Sequence, residues 1–165
     1  MLVPFLKSIP KQAELSIYGK APSWLYAALV AHTAPQPFAL FDPKLPFGWV
    51  LPAKVQFGTT TSSEMQIKPQ PDDERTILSI TFPHDRIEYF QVEPLDFPPI
   101  AVNKGLIFDG RIPNWLLTAL VRLYMQANIP WIAAHYVQKE GAVVVYSRVE
   151  THRVGDLVPM PSRTN

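Results

Sequence analysis

The sequence predicts a mixed α/β fold in which two tandem strand-helix-strand-strand repeats pack as a pseudo-dimer with a mixed sheet. The first observation is a repeat: "GKAPSWLYAALV" at 19–30 and "GRIPNWLLTALV" at 110–121 share seven residues at a constant offset of 91. The second is that one short apolar strand pattern precedes each segment and two more follow it. The third is the placement of the 18 prolines, which fall mostly between these periodic segments and separate short elements. An internal duplication normally packs about a pseudo-two-fold axis, as a homodimer does.

The first repeat is assigned to residues 1–57. A glycine bends the chain from a strand into a helix, and the proline-containing stretch "TAPQP" ends that helix. A turn at "DPKLPFG" then favours a hairpin between two further strands. In order, the predicted elements are a strand at 15–18, a helix from near Pro22 to about His32, and strands at 38–41 and 49–51.

The second repeat is assigned to residues 76–165 and copies this order. Its predicted elements are a strand at 106–108, a bend at Gly110, a helix from Pro113 to about Ala127, and strands at 131–134 and 143–146. Two alternating segments, "TILSITF" and "IEYFQVE", predict an additional pair of strands joined at 83–86. The polar, turn-rich stretch 58–75 is predicted to be a connecting loop between the repeats.

The composition restricts the class of protein. A hydrophobic fraction of 47% in 165 residues is enough for a substantial core. The net charge of +1 lacks the broad basic field of a duplex DNA binder, so nucleic-acid recognition would depend on a few placed charges. The absence of cysteine excludes disulfides and thiolate metal sites. The longest apolar run, "WLYAALVA", is far below the ~20 residues of a membrane span, and "MLVPFLKSIP" is a poor signal peptide. These features predict a soluble, cytoplasmic protein with no membrane partner.

The repeated strand-to-helix junction predicts an anion site. A strand that bends at glycine into a helix directs the free N–H groups and the positive dipole end of the helix beyond the strand. Phosphate is the typical ligand of such a place, and a basic side chain in the bend adds a charge-assisted contact. Two junctions related by a pseudo-two-fold axis would suit a compact ligand with several phosphates. The candidate ligand-binding residues are Gly19, Lys20, Pro22, Gly110, Arg111 and Pro113.

A purely structural interpretation of the junction remains open at this stage. Proline is common at helix starts, and Ser23 and Asn114 are both good N-cap residues. On that interpretation, the repeated pattern only begins two helices.

Several motifs together resemble a known family. "KGLIFDGRIPNWLLTALV", "IPWIAA", "GAVVVYSR" and "RVGDLV", in that order between 104 and 158, resemble the CRISPR-associated Csx-type ring nuclease family known as the third CRISPR ring nuclease. "PFALFDPKL" at 37–45 resembles the Asp-Pro-Arg-Leu turn of the same family. The resemblance implies a small α/β fold that works as a dimer and binds cyclic tetra-adenylate or short RNA ends. It also implies Mn²⁺-dependent cleavage of that messenger in type III CRISPR defence. The two-fold symmetry of a ring of four adenylates agrees with a fused dimer.

The resemblance also suggests site residues. Asp42 occupies the catalytic aspartate position and is a possible metal ligand, and the offset of 93 places His135 at the matching position of the second repeat. His32 lies two residues before the family's histidine, Lys44 matches the arginine of the turn, and Arg148 ends the motif "GAVVVYSR". We expect Asp42 and His135 to face each other across the groove between the repeats. Such a pair could act as general base and acid, or hold one Mn²⁺.

Other interpretations stay open from the sequence alone. His32 also fits a helix-end histidine whose hydrogen bonds are satisfied by the fold. The chain as a whole also fits a non-catalytic subunit or scaffold of a CRISPR effector, or an exoribonuclease that trims RNA tails. Effector proteins and further copies of the chain are therefore possible partners beside cyclic tetra-adenylate or short RNA.

Overall fold

The computed structural model describes residues 2–60, 62–83, 89 and 94–161, and it confirms a mixed α/β fold. Within these ranges the helices are α1 (Leu2–Lys7), α2 (Ser23–His32) and α3 (Asn114–Gln126), with a 3₁₀ turn at Val137–Lys139. The strands are β1 (Leu15–Ile17), β2 (Phe38–Phe41), β3 (Trp49–Val50), β4 (Val55–Phe57), β5 (Gln66–Pro71), β6 (Arg75–Thr81), β7 (Leu95–Phe97), β8 (Gly105–Asp109), β9 (Trp131–Tyr136), β10 (Gly141–Ser147) and β11 (Leu157–Pro159).

A six-stranded mixed sheet forms the larger part of the fold, with the order β11-β10-β9-β8-β6-β5. Strands β6, β8 and β9 run parallel, and the remaining neighbours are antiparallel. The central strand β8 is buried on both faces: Leu106 and Phe108 pack in the main core, whereas Ile107 packs in a second cluster on the other face. Burial on both faces explains why this strand is a continuous apolar run in the sequence rather than an alternating one.

The strand-helix-strand-strand order occurs twice, as predicted. In the first unit, β1 pairs with β2 in parallel and β2 pairs with β3 antiparallel, with α2 between β1 and β2. In the second, β8 pairs with β9 in parallel and β9 pairs with β10 antiparallel, with α3 between β8 and β9. The first unit forms a separate three-stranded sheet.

The two helices pack side by side over the larger sheet. Helix α2 is apolar on all sides, with Tyr26 to Ala31 all buried, because it lies against α3, β9 and β10 together. Arg122, in the second half of α3, donates its Nε–H to the carbonyl of Val30 in the last turn of α2 at 3.0 Å. The guanidinium also lies 4.5 Å from the centre of the Phe38 ring. The second half of one helix thus meets the last turn of the other, so both run in the same direction.

Residues 58–75 differ from the prediction, because the supposed connecting loop contains strand β5. This strand pairs antiparallel with β6, with Gln66 opposite Thr81, at the exposed edge of the sheet. Prolines 69 and 71 and the polar side chains resemble a loop in the sequence, but an edge strand tolerates both. Strand β6 agrees with the predicted strand "TILSITF", whereas most of "IEYFQVE" and its predicted junction at 84–86 lie outside the described residues.

Four further elements have no counterpart in the prediction: α1, the parallel ribbon of β4 and β7, and β11. Strands β4, β7 and β11 have three residues each, too few to display a period in the sequence. Among the described helices, none has the length and apolarity needed to cross a membrane.

Candidate functional site

The two strand-to-helix junctions have the same backbone conformation. Gly19 and Gly110 have φ angles of 123° and 122°, and both Pro22 and Pro113 have ψ of 144°. A positive φ of this size strongly favours glycine. The repeated sequence motif therefore encodes one repeated geometry.

The helix starts carry no side-chain caps. Pro22 and Pro113 occupy the N-cap positions and make no capping hydrogen bond from a side chain. Ser23 and Asn114, which the structural interpretation offers as N-cap residues, are instead the first residues of their helices. The earliest helical amides with acceptors are those of residues 25 and 116, which donate to the proline carbonyls. The two amides that begin each helix have no acceptor among the described residues, so they are available to an anion.

Both helix starts lie at the same edge of the molecule and contact the opposite repeat. Trp24, in the first turn of α2, packs edge-on against Tyr136 at the end of β9, with ring centres 6.1 Å apart. Trp115, in the first turn of α3, accepts a hydrogen bond at its carbonyl from the Ala53 amide at 3.1 Å. Each helix start therefore lies beside the other repeat, and the two junctions flank one edge.

A hydrogen-bonded cluster occupies the carboxyl ends of the parallel strands at this edge. Nδ1 of His135 on β9 lies 2.6 Å from Oδ1 of Asp109, the last residue of β8. Ser79, opposite Asp109 on β6, donates its hydroxyl to Oδ2 of the same carboxylate at 3.2 Å. The side chains of His135 and Asp109 are 12% and 14% exposed. The carboxyl ends of parallel strands are where open α/β sheets bind ligands.

The Asp109 contact decides which nitrogen of His135 can accept a proton. A carboxylate only accepts hydrogen bonds, so in the neutral imidazole Nδ1 carries the hydrogen and Nε2 keeps a free lone pair. Within the described part of the chain, Nε2 has no hydrogen-bond partner. The arrangement therefore presents a partly exposed base of fixed tautomer.

The structure pairs His135 with Asp109 rather than with Asp42, its expected partner. Asp42 instead accepts the Lys44 amide at Oδ1, at 2.9 Å, and its own amide donates to the Gly48 carbonyl at 2.7 Å. These bonds hold Asp42 in the turn between β2 and β3. The sequence contained one usable signal for Asp109, since it directly precedes the glycine of the bend, but nothing local to Ser79 indicated its place beside Asp109.

The first repeat has aromatic side chains beside its junction, whereas the second repeat has the pair of Asp109 and His135 there. Tyr18 takes the position of Asp109 at the offset of 91, and its ring centre lies 4.8 Å from that of Phe41. Phe41 in turn lies 5.5 Å from Trp49. Tyr18 and Trp49 remain 73% and 46% exposed, and Lys20 is exposed two residues after Tyr18. The two repeats thus place different chemistry next to the same backbone junction.

Two of the predicted site residues lie away from this edge. His32 is the last residue of α2, at the end of the helix opposite to the junction, and its Nε2 is 2.9 Å from the Ile9 carbonyl. Arg148 follows β10, whose end pairs with the start of β9, and its guanidinium donates to Asn128 at 2.6 Å. The structure therefore does not bring His32 or Arg148 to the junctions.

The described residues do not provide a manganese centre. Mn²⁺ favours several carboxylate, carbonyl or water oxygens together. Within the described ranges, no group of three or more histidine, aspartate or glutamate side chains is close enough to hold a metal ion. Asp42, the candidate metal ligand, has Oδ1 engaged by the Lys44 amide.

The comparison with protein families gives a match in two ranges of the chain. The sequence model of the family described as CRISPR-associated protein (Cas_csx3) matches residues 3–56 and 80–159. Each matched range contains one of the two strand-helix-strand-strand units. A search of curated proteins finds no match to the chain.

Proposed function

This chain belongs to the Cas_csx3 family of CRISPR-associated proteins, and on that premise we propose that it binds cyclic tetra-adenylate, the second messenger of type III CRISPR defence. The ligand lies along the edge flanked by the two helix starts, and its phosphates contact the uncapped amides. The single observation that carries the proposal is the repeated junction, with glycine φ angles of 123° and 122° at one edge. A short RNA end, which offers the same phosphates without the ring, is the related ligand.

The symmetry of the ligand supports the proposal. A ring of four adenylates has a two-fold axis, and in this proposal the two like units of the chain are related by a matching pseudo-two-fold axis. The two separate matches to one family support the interpretation of the chain as a fused dimer. In a fused dimer the halves are free to diverge, since each carries its own sequence.

The local charges and rings support recognition of both phosphate and base. Lys20 and Arg111 are exposed in the two bends and make charge-assisted contacts to phosphate. Tyr18 and Trp49 offer exposed ring faces on which adenines stack, a contact of about 1–3 kcal/mol per base. Because the net charge is only +1, these placed groups carry the affinity rather than a general basic field.

Cleavage of the bound ring is the second part of the proposal. Asp109 and His135 lie at the same edge as the phosphate-binding junctions, and a histidine held by a carboxylate is a common acid–base arrangement. The protein would then linearise the messenger and end the signal in the cytoplasm.

The binding experiment uses labelled cyclic tetra-adenylate and four variants. Lys20→Ala and Arg111→Ala should each weaken binding about tenfold, equivalent to about 1.4 kcal/mol, and the double variant about 100-fold. The melting temperature should change little, because both side chains are exposed. Lys11→Ala removes an exposed lysine before the start of β1, at the opposite end of that strand, and should bind like the unchanged protein. Unchanged affinity in the double variant contradicts the proposal.

A further inference from the structure

The described residues provide an acid–base pair instead of the metal site that the family resemblance implies. We propose that the chain cleaves RNA phosphodiesters without a metal, by using His135 as the general base toward a ribose 2′-hydroxyl. This inference rests on the proposed function, since it needs the ligand at the junction edge. It goes beyond that function by naming the nucleophile, a ribose 2′-hydroxyl, and by assigning the base to Nε2 of His135 without a metal.

The hydrogen bonds of the Asp109 carboxylate fix the orientation and the tautomer of the His135 ring. Both oxygens of Asp109 are occupied, Oδ1 by the imidazole at 2.6 Å and Oδ2 by the Ser79 hydroxyl at 3.2 Å. The carboxylate therefore cannot rotate without losing one of the two contacts. It holds the ring in one orientation and keeps the hydrogen on Nδ1, so Nε2 is the basic nitrogen. Asp109 thus acts as a positioning residue and His135 as the catalytic one.

In this proposal the substrate phosphate lies at the end of β8, where the chain leads from Asp109 into the junction. Asp109 ends β8, and after the bend at Gly110 and Arg111 the chain enters α3 with its first two amides unpaired among the described residues. Asp109 links the two groups at the end of β8: its side chain contacts His135 on the sheet face of Ile107, and the next residue along the chain begins the bend whose amides and Arg111 bind the phosphate. The same donors stabilise the additional negative charge that develops on the phosphate in the transition state.

The step is balanced without any co-reactant. Nε2 of His135 removes the proton of the 2′-hydroxyl, and O2′ attacks the neighbouring phosphorus. The O2′–P bond forms while the P–O5′ bond breaks, the departing 5′ oxygen takes a proton from water, and the imidazolium of His135 then returns its proton to the solvent. The product carries a 2′,3′-cyclic phosphate at one end and a 5′-hydroxyl at the other. One such step is enough to linearise cyclic tetra-adenylate.

The experiment compares cyclic tetra-adenylate and a linear oligoadenylate in excess EDTA and in Mn²⁺, with the product ends identified by mass spectrometry. We expect cleavage in EDTA, with 2′,3′-cyclic phosphate and 5′-hydroxyl ends. A substrate in which every 2′-hydroxyl is methylated should bind but remain intact, because it has no nucleophile.

Variants separate catalysis from folding. His135→Gln should lower kcat by about 10²–10⁴-fold, the usual contribution of a general base. Asp109→Asn should lower kcat by about 10²-fold or more with KM and melting temperature unchanged, because a carboxamide N–H facing Nδ1 moves the ring hydrogen to Nε2. Nitrogen NMR of His135 reports this change of tautomer directly. His152→Gln is the matched control: this ring stacks on Trp131 at 4.3 Å, at the start of β9, and its loss should leave kcat unchanged.

Three results overturn the inference, and they differ in what they mean for the proposed function. Cleavage only with Mn²⁺, with 3′-hydroxyl and 5′-phosphate ends, refutes the 2′-hydroxyl reaction but leaves the ring nuclease proposal intact. Binding with no cleavage in any condition refutes it and leaves a messenger-binding protein. Neither binding nor cleavage refutes both proposals together.

Discussion

The two junction glycines, Gly19 and Gly110, allow a matched test of what stabilises the backbone at the proposed binding edge. Gly19 and Gly110 have nearly equal φ angles, 123° and 122°, but different surroundings. A Cβ at Gly19 would have no heavy atom within 4 Å, whereas a Cβ at Gly110 would lie 2.1 Å from the Ile80 carbonyl oxygen. Replacing each by alanine therefore separates backbone strain from steric overlap.

The expected magnitudes follow from these two environments. Alanine at a positive φ costs about 1–3 kcal/mol, offset by about 0.4–1 kcal/mol because the unfolded chain is less flexible. Gly19→Ala should therefore lose about 1–2 kcal/mol of unfolding free energy. Gly110→Ala carries the same strain and must also move β6 and the junction apart, since ordinary contacts begin at 3.4 Å. Overpacking of this kind costs about 1–3 kcal/mol more.

Urea unfolding of both variants measures the difference. The midpoint should fall further for Gly110→Ala than for Gly19→Ala, with similar slopes, because both variants expose the same surface on unfolding. The Gly110 variant should also lose oligoadenylate cleavage, since the shift displaces Asp109 and Arg111. Equal losses of stability in the two variants would refute the reasoning that contact with Ile80, and not φ alone, fixes the second junction.

Two further predictions concern a buried tyrosine and the aromatic side chains of the first repeat. Burial raises the pKa of Tyr124 above its ordinary 10.0, and its hydroxyl donates to the Pro98 carbonyl at 2.6 Å. The stabilisation from the protonated hydroxyl is therefore complete below pH 10 and is lost as the pH rises above that value. Tyr124→Phe should lower the free energy of unfolding by about 1–2 kcal/mol near neutral pH. In denaturation curves recorded at several pH values, the variant should also lose less stability above pH 10 than the unchanged protein does. Trp49→Ala should weaken binding of a fluorescent oligoadenylate by about 5–150-fold, corresponding to one stacked base, with little change in melting temperature because the ring is 46% exposed. Undiminished binding would exclude Trp49 as a stacking surface.

The repeat and its local geometry were predictable because their causes are local. Glycine, proline and the apolar period act within a few residues, so a repeated motif produces a repeated bend and helix start wherever it occurs. Strand β5 was missed for the opposite reason. Its prolines argue against a strand, and only its position at the sheet edge, beside β6, makes the pairing possible.

The sequence by itself determined the mixed α/β class, the duplicated unit and the basic residue in each bend. Only the tertiary structure decided the partner of His135: the register of β6, β8 and β9 brings Ser79 and Asp109 to it, although 26 residues separate Asp109 from His135. It also placed His32 at the far end of α2, hydrogen-bonded to a backbone carbonyl. The physical reason is that backbone preference depends on neighbours in the chain, whereas contacts between side chains depend on which strands lie next to each other and in what register.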